Sequence, residues 1–325
     1  LEALQNGVYN HIGGDGRELV ITDNTGVKLR AEDGRSVRNV DISMFINDLP
    51  NGRDTTCFST MDASGSTSQA AGVVESMEAG TRLLLIDEDT SATNFMVRDA
   101  LMQRVISREK EPITPFIERM RALYEQAGIS TILVAGSSGA FFYEADRVIQ
   151  MDRYHVVDIT EKVKEICGQY QAPRIRAPHY QIPEFNRMIR VPENRKQENG
   201  SCDRRAKGRK GENDEKGQES GGREDRMKIR VSGRDGFSLD HESVEMRFVE
   251  QLADGEQSAA LAQLLRYALT RELKENGCSV VELADRLEQL LDQKGWSAFS
   301  SPWIPCGLAR PRRQEIFAAF NRYRR

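Results

Sequence analysis

The sequence predicts an α/β chain, with a parallel-sheet core followed by a smaller, mostly helical unit. Three observations predict it. Leu83, Leu84, Leu85 and Ile86 form a continuous apolar run closed by Asp87 and Glu88, the pattern of a strand buried on both faces of a parallel sheet. Around that run, strand-like and helix-like segments alternate, as a parallel sheet with crossover helices requires. Beyond an apolar-poor stretch from Glu193 to Arg226, two segments carry leucines at helical spacing.

These observations divide the chain into a core over residues 1–170, an extended connector and flexible charged linker over 171–226, and a C-terminal unit over 227–325. A length of 325 residues suits about two domains. The net charge of −4 excludes a chain-wide basic nucleic-acid binder, although Arg gathers between Ala309 and Arg325. No apolar segment approaches the ~20 residues needed to span a membrane, and the N-terminus has no signal-peptide pattern. The five Cys are scattered without a C-x-x-C, which fits reduced thiols in a cytoplasmic protein. The four His are equally dispersed, so no zinc site is expected.

Taken in order, Leu1 to Gly7 reads as the end of a helix, with Asn6-Gly7 as its stop. Gly13 to Gly16 is a turn. As a phosphate loop it is weak, because no Lys-Ser/Thr follows. Leu19 to Thr22 and Val27 to Ala31 read as strands, with Asp23 to Gly26 turning between them. Asn47 to Asp62 reads as a polar loop. Ala92 to Ser107 and Phe116 to Gln126 read as helices, the second stopped by Gly128. Ser130 to Ala135 is a second apolar strand, and Ala145 to Met151 a third. Pro173 to Pro192 is an extended connector. Glu193 to Arg226 is too poor in apolar residues to offset chain entropy. Lys228 to Val231 reads as a short strand. Gln257 to Glu275 and Val280 to Leu291 are amphipathic helices whose leucine faces pack together. Arg312 to Arg325 is a basic helix with Ile316, Phe317 and Phe320 turned inward.

Two places carry chemistry. Asp87 and Glu88 stand where a parallel strand would end, and ligands of open α/β sheets bind outside such ends. A first carboxylate there helps hold Mg²⁺ beside nucleotide phosphates and a second polarises water; a solvated acidic turn has the same composition. Ser64-Gly65-Ser66-Thr67-Ser68-Gln69 opens a helix with Ala70, Val73, Val74 and Met77 at helical spacing. A helix N-terminus of this kind suits an anion, and Ser64 is equally an ordinary N-cap. The basic run from Arg204 to Lys210 suits phosphates or a solvated linker, since acids flank it.

The order of these pieces resembles the ABC-class ATPases, and the soluble, stand-alone members of that class in particular. Their L-S-G-G-Q signature is matched by Ala63-Ser64-Gly65-Ser66-Thr67, with Ser64 standing 23 positions before Asp87. Their L-D-E-A-T-S-A-L-D is matched by Ile86 to Asn94, and their A-D-R-[IV] by Ala145-Asp146-Arg147-Val148. The resemblance covers Leu1 to about Tyr170 and extends more loosely to the helix start at Ala309 to Arg313. The signature carries Ser66 and Thr67 in place of Gly and Gln, and the D-loop Asp is Asn94. The switch His is replaced by Gly136, followed by Ser137. No G-x-x-x-x-G-K-[ST] occurs in the sequence. The expectation is a chain truncated just after its P-loop, with Leu1 to Gln5 as the remnant of the phosphate-loop helix.

The resemblance implies a P-loop NTPase core and a soluble ATP hydrolase using ATP and Mg²⁺. Asp87 would assist the metal and Glu88 would orient or activate water. Ser64, Gly65, Ser66 and Thr67 would meet the γ-phosphate held by a second copy, with Ser91 and Asn94 along that interface. Gly136 and Ser137 would face the nucleotide at the switch position. ATP would then hold a head-to-tail dimer together until hydrolysis. Two alternatives stand beside this reading. One is an RNA-associated ABC protein using the Arg-rich C-terminal helix. The other is a non-catalytic scaffold, because the P-loop motif is absent.

Overall fold

The computed structural model describes residues 1–9, 20–98, 105, 111–170, 180–190, 227–273, 277–300 and 303–323. The expected turn at Gly13 to Gly16, most of the second half of the Ala92 to Ser107 helix and the charged linker with its basic run lie outside them.

The chain enters on α1 (Glu2–Asn6), as the Asn6-Gly7 stop implies. Val20 to Thr22 forms no strand. Its Thr22 N–H instead donates to the Gly7 carbonyl at 3.1 Å. β1 (Val27–Leu29) follows, then β2 (Arg35–Val40) and β3 (Phe58–Ala63). β3 occupies part of the stretch expected to be a polar loop. It pairs antiparallel with β2 through two register shifts, so neither strand shows clean alternation in sequence. α2 (Gly65–Glu78) begins at Ser64 and leads to β4 (Leu83–Asp87).

α3 (Thr93–Met96) is far shorter than the expected helix and already leaves helical geometry at Val97. The chain then forms α4 (Ile117–Ala127), whose Gly128 cap is left-handed at φ 65°. β5 (Ser130–Val134) comes next. β6 (Ile149–Asp152) begins later than expected and pairs antiparallel with β7 (His155–Asp158) instead of joining the parallel sheet. α5 (Thr160–Cys167) and β8 (Met188–Ile189) close this half.

The parallel sheet has the order β1-β4-β5, with Leu29 opposite Ile86 and Asp87 opposite Val134. β4 is its centre, and Leu84, Leu85 and Ile86 are fully buried. That burial is why the run is uninterrupted by polar residues. Beneath the sheet, Phe45, Phe95 and Phe116 pack as a trio, with ring centroids 5.1 Å apart for Phe45 and Phe95. β5 is half exposed, with Ile132 and Val134 at its surface.

The C-terminal half contains a three-stranded antiparallel sheet of β9 (Ile229–Val231), β10 (Gly236–Leu239) and β11 (Glu242–Glu245). Only β9 was expected. Gly236 at φ 148° marks the close approach of β10 to β11, where a Cβ would fall 2.2 Å from the Val244 carbonyl oxygen. α6 (Gly255–Tyr267) starts from an Asp254 capping box. β12 (Cys278–Ser279) leads into α7 (Val280–Lys294), which starts from a Ser279 capping box. α8 (Arg313–Arg322) follows Pro311. Leu261, Leu264, Leu265, Leu283, Leu287 and Phe317 form one core, as the two leucine faces predict.

The halves are joined by half-buried polar contacts. Glu250 accepts from Lys28 and, at 2.8 Å, from Arg30. Arg187 holds Glu78 within its own half through Nε at 2.8 Å and reaches across to donate to Asn321 Oδ1 at 2.9 Å. β8 ladders antiparallel onto β12. No helix among the described residues is long and apolar enough to cross a membrane.

Candidate nucleotide site

The site forms where β4 and β5 end side by side. Asp87 closes β4, and its Oδ1 accepts from the Asp89 N–H at 3.1 Å, starting a short turn over Glu88–Thr90. Glu88 turns toward the loop after β5. Its Oε2 accepts from the Gly136 N–H at 2.8 Å and the Ser137 N–H at 3.0 Å. Its Oε1 accepts from the Ser137 hydroxyl at 2.7 Å. Burial pushes the Glu88 carboxyl up. The N–H and hydroxyl of Ser137, with the N–H groups of Gly136 and Ser138, outweigh that and hold it below the usual carboxylate range.

The Ser64 to Thr67 segment stands at the start of α2. Ser64 is exposed, and its Oγ accepts from the Thr67 N–H only at 3.4 Å. Gly65 is crowded: a Cβ there would lie 3.2 Å from Asp33 Oδ1 and 3.3 Å from the Ala31 Cβ. Ser66 is buried and Thr67 half-buried. Ser68 accepts from the Glu32 N–H at 2.8 Å and donates to the Gly65 carbonyl at 2.9 Å. The start of α2 is thereby pinned to the segment after β1.

Gln69 joins the two clusters. It is fully buried, donates to Ser91 Oγ at 2.9 Å and accepts from the Ala92 N–H at 2.9 Å. Ser91 in turn donates to the Asp87 carbonyl at 2.8 Å. Asn94 lies exposed on α3 just beyond. Thus Glu88, Gly136 and Ser137 form one contact group and Ser64 to Thr67 another. The Gln69–Ser91–Asp87 chain links them. Sequence reasoning missed the role of Gln69, Ser68 and Glu32. The signal available for Gln69 was a polar residue on the apolar face of a helix, which needs buried partners.

No group of three His, Cys, Asp or Glu side chains that could hold a metal occurs among the described residues. Asp87 offers a hard carboxylate at a strand end, which suits Mg²⁺ bound through one or two carboxylates plus phosphate oxygens. Glu88 has both oxygens occupied by donors of its neighbouring loop.

The C-terminal arginines expected as a nucleic-acid face are engaged within the chain. Arg310 pairs with Asp292 at 2.6 Å, and Arg313 with Asp285 at 2.6 Å and Glu288 at 2.7 Å. Arg312 holds Glu315 at 2.6 Å and donates to the Asn24 carbonyl at 2.7 Å. Arg322 pairs with Glu32 at 2.5 Å. Arg324 and Arg325 lie outside the described residues.

Comparison with known proteins adds three findings. The chain is 32% identical over 176 residues to the uncharacterized protein MJ1628 of Methanocaldococcus jannaschii. That alignment covers 52% of this chain and 37% of the relative, so the chain spans just over a third of the curated relative it matches. Residues 228–325 match the family model of the MRB1590 C-terminal domain. Residues 1–188 match the P-loop domain model of ABC_ATPase, a family of nucleotide-binding NTPases. That match spans more than half of the sequence and includes the acidic strand end, the start of α2 and the loop after β5. The chain belongs to the ABC_ATPase family of P-loop domains.

Proposed function

We propose that this chain is the acid-bearing part of an ATP hydrolase whose two copies close head to tail around ATP. The observation that carries the reading is the placement of Asp87 and Glu88. They stand at the end of the central parallel strand, beside the Gly136–Ser137 loop, with the start of α2 tied to the same segment through Gln69 and Ser91. Phosphoryl transfer needs positioning and charge stabilisation more than covalent chemistry from the protein. Asp87 would hold Mg²⁺, which supplies charge neutralisation at the phosphates when bound. Glu88 orients water and takes its proton. Ser64, Gly65, Ser66 and Thr67 present a hydroxyl-rich helix start to the nucleotide of the opposite copy. Ser91 and Asn94 line the same contact. Gly136 and Ser137 offer donors to the terminal phosphate.

The test is steady-state ATP hydrolysis, with size-exclusion chromatography in ATP, by the protein in its natural full length. Glu88→Gln keeps the shape but removes the carboxylate charge, so turnover falls by about 10²–10⁴-fold. ATP binding persists and the ATP-bound dimer lives longer. Asp87→Asn instead weakens the Mg²⁺ dependence of binding. Wild-type turnover in Glu88→Gln, or loss of ATP binding in it, would sink the assignment.

A further inference from the structure

We propose that the loop Gly136–Ser138 is an anion cradle that Glu88 fills in the resting state, and that a phosphate oxygen competes with Glu88 for it. The inference rests on the reading of Glu88 as the water-activating base. It adds an account of how that base is held off until substrate is present.

The geometry carries it. Asp87 and Val134 are register partners on adjacent parallel strands, so the residues that follow each strand emerge together at the ligand-binding end of the sheet. Three donors from consecutive residues converge on one carboxylate, at 2.8, 3.0 and 2.7 Å. Successive backbone N–H groups aimed at one point make an anion-binding concavity, and charge-assisted bonds of this kind are the strong ones. Gly136 and Ser137 are exposed, so an anion arriving from solvent reaches the same donors without the core moving.

Each N–H or O–H carries one proton and serves one acceptor well. Three donors take most of the roughly four acceptor sites of the Glu88 carboxylate and leave a single one, on Oε1, for a water proton. A phosphate oxygen that takes the Gly136 and Ser137 donors leaves Glu88 free to turn toward water. Both are anions, so their close approach also repels Glu88 from the cradle. Ser137 is thus a positioning residue: its hydroxyl holds the resting Glu88 and then holds the incoming anion. The contact keeps Glu88 held on the loop until phosphate is in place, and the substrate itself releases it.

The experiment uses the chain as it is, with inorganic phosphate as the probe. Amide signals of Gly136, Ser137 and Ser138 are followed in ¹⁵N spectra during titration with phosphate, with chloride as the ionic-strength control. Glu88→Ala empties the cradle, so phosphate should bind at these three amides about tenfold more tightly than in wild type, the worth of one charge-assisted bond. Glu88→Gln serves as a second, shape-preserving variant and should fall between the two. Adding Ser137→Ala to Glu88→Ala should weaken phosphate binding again. Equal phosphate affinity in wild type and both Glu88 variants, including none in any of them, overturns the cradle, as do shifts confined to other residues. The outcome is separable from hydrolysis. Normal turnover in Glu88→Gln with intact phosphate competition would remove the catalytic role and leave the cradle. Equal phosphate affinity would remove the cradle and leave the catalytic role.

Discussion

Arg322, near the end of α8, donates to Glu32 Oε1 at 2.5 Å, and both side chains are only 10% exposed. Arg35 lies 3.9 Å from the same carboxylate and pairs with Glu75 on α2. Two acids and two bases therefore share one buried site between the halves of the chain. Removing one partner of a buried pair leaves a charge stranded, at a cost of about 3–5 kcal/mol. Arg322→Ala should lower unfolding stability by about that much in urea titration. The double variant Arg322→Met with Glu32→Gln should recover part of the loss. A single variant as stable as wild type would show that water already reaches this site.

Gln69 is the second buried polar group on which the site depends. Gln69→Leu keeps the volume but leaves the Ala92 N–H without its acceptor. Ala92 is half-buried, so a donor left unsatisfied there costs about 1 kcal/mol, the low end of the range of about 1–3 kcal/mol for a buried one. The variant should lose about that much stability, and hydrogen exchange at the Ala92 amide should accelerate more than at amides of α7. Unchanged exchange at Ala92 would mean that the amide bridge does not hold the segment.

Two serines begin helices, and they should behave differently. Ser279 Oγ accepts from the Glu282 N–H at 3.1 Å, while Glu282 returns the bond to the Ser279 N–H at 3.0 Å. Ser64 Oγ reaches the Thr67 N–H only at 3.4 Å. Ser279→Ala should cost about 1 kcal/mol. Ser64→Ala should cost less than half as much, yet weaken ATP-dependent association. Equal stability losses would make Ser64 a cap and nothing more.

The aromatic trio under the sheet carries α3 and, with it, Asn94. Phe95 is fully buried between Phe45 and Phe116. Phe95→Ala should cost about 3–5 kcal/mol, since the removed ring leaves a cavity as well as lost burial. Phe95→Leu should cost clearly less. Thermal unfolding of the two variants checks the order.

The parts legible in the sequence are those where one local rule acts alone. β4 stands out because both of its faces are buried, leaving four apolar residues in a row before Asp87. The start of α2 stands out because Ser64 precedes a run of small residues. Gly128 marks the end of α4 because only a left-handed residue closes it. β2 and β3 stay hidden because partners distant in sequence decide their burial. Arg35 and Ser36 are buried within β2, Arg35 by its pairing with Glu75 and Glu32, so the strand reads as polar. β6 and β7 are exposed throughout, so no burial period marks them or shows which sheet they join. The Gly136–Ser137 grip on Glu88 was invisible for the same reason. The positions were named by resemblance, but the contact depends on two strand ends meeting in space. The pairing of Glu32 with Arg322, 290 residues apart, has no local signature at all.

The seam between the two family matches is not a seam in the folded chain. One match ends at residue 188, and the other begins at residue 228. Yet β8, at Met188–Ile189, takes its hydrogen-bond partner from β12, at Cys278–Ser279. A recombination event at that boundary would deliver each descendant half a ladder, together with charges at Glu32 and Glu250 that lose their partners across it. The two modules are therefore expected to be inherited as a pair. Lineages that exchange one are expected to carry compensating replacements in the other, first at Arg187, Arg322 and the residues facing them.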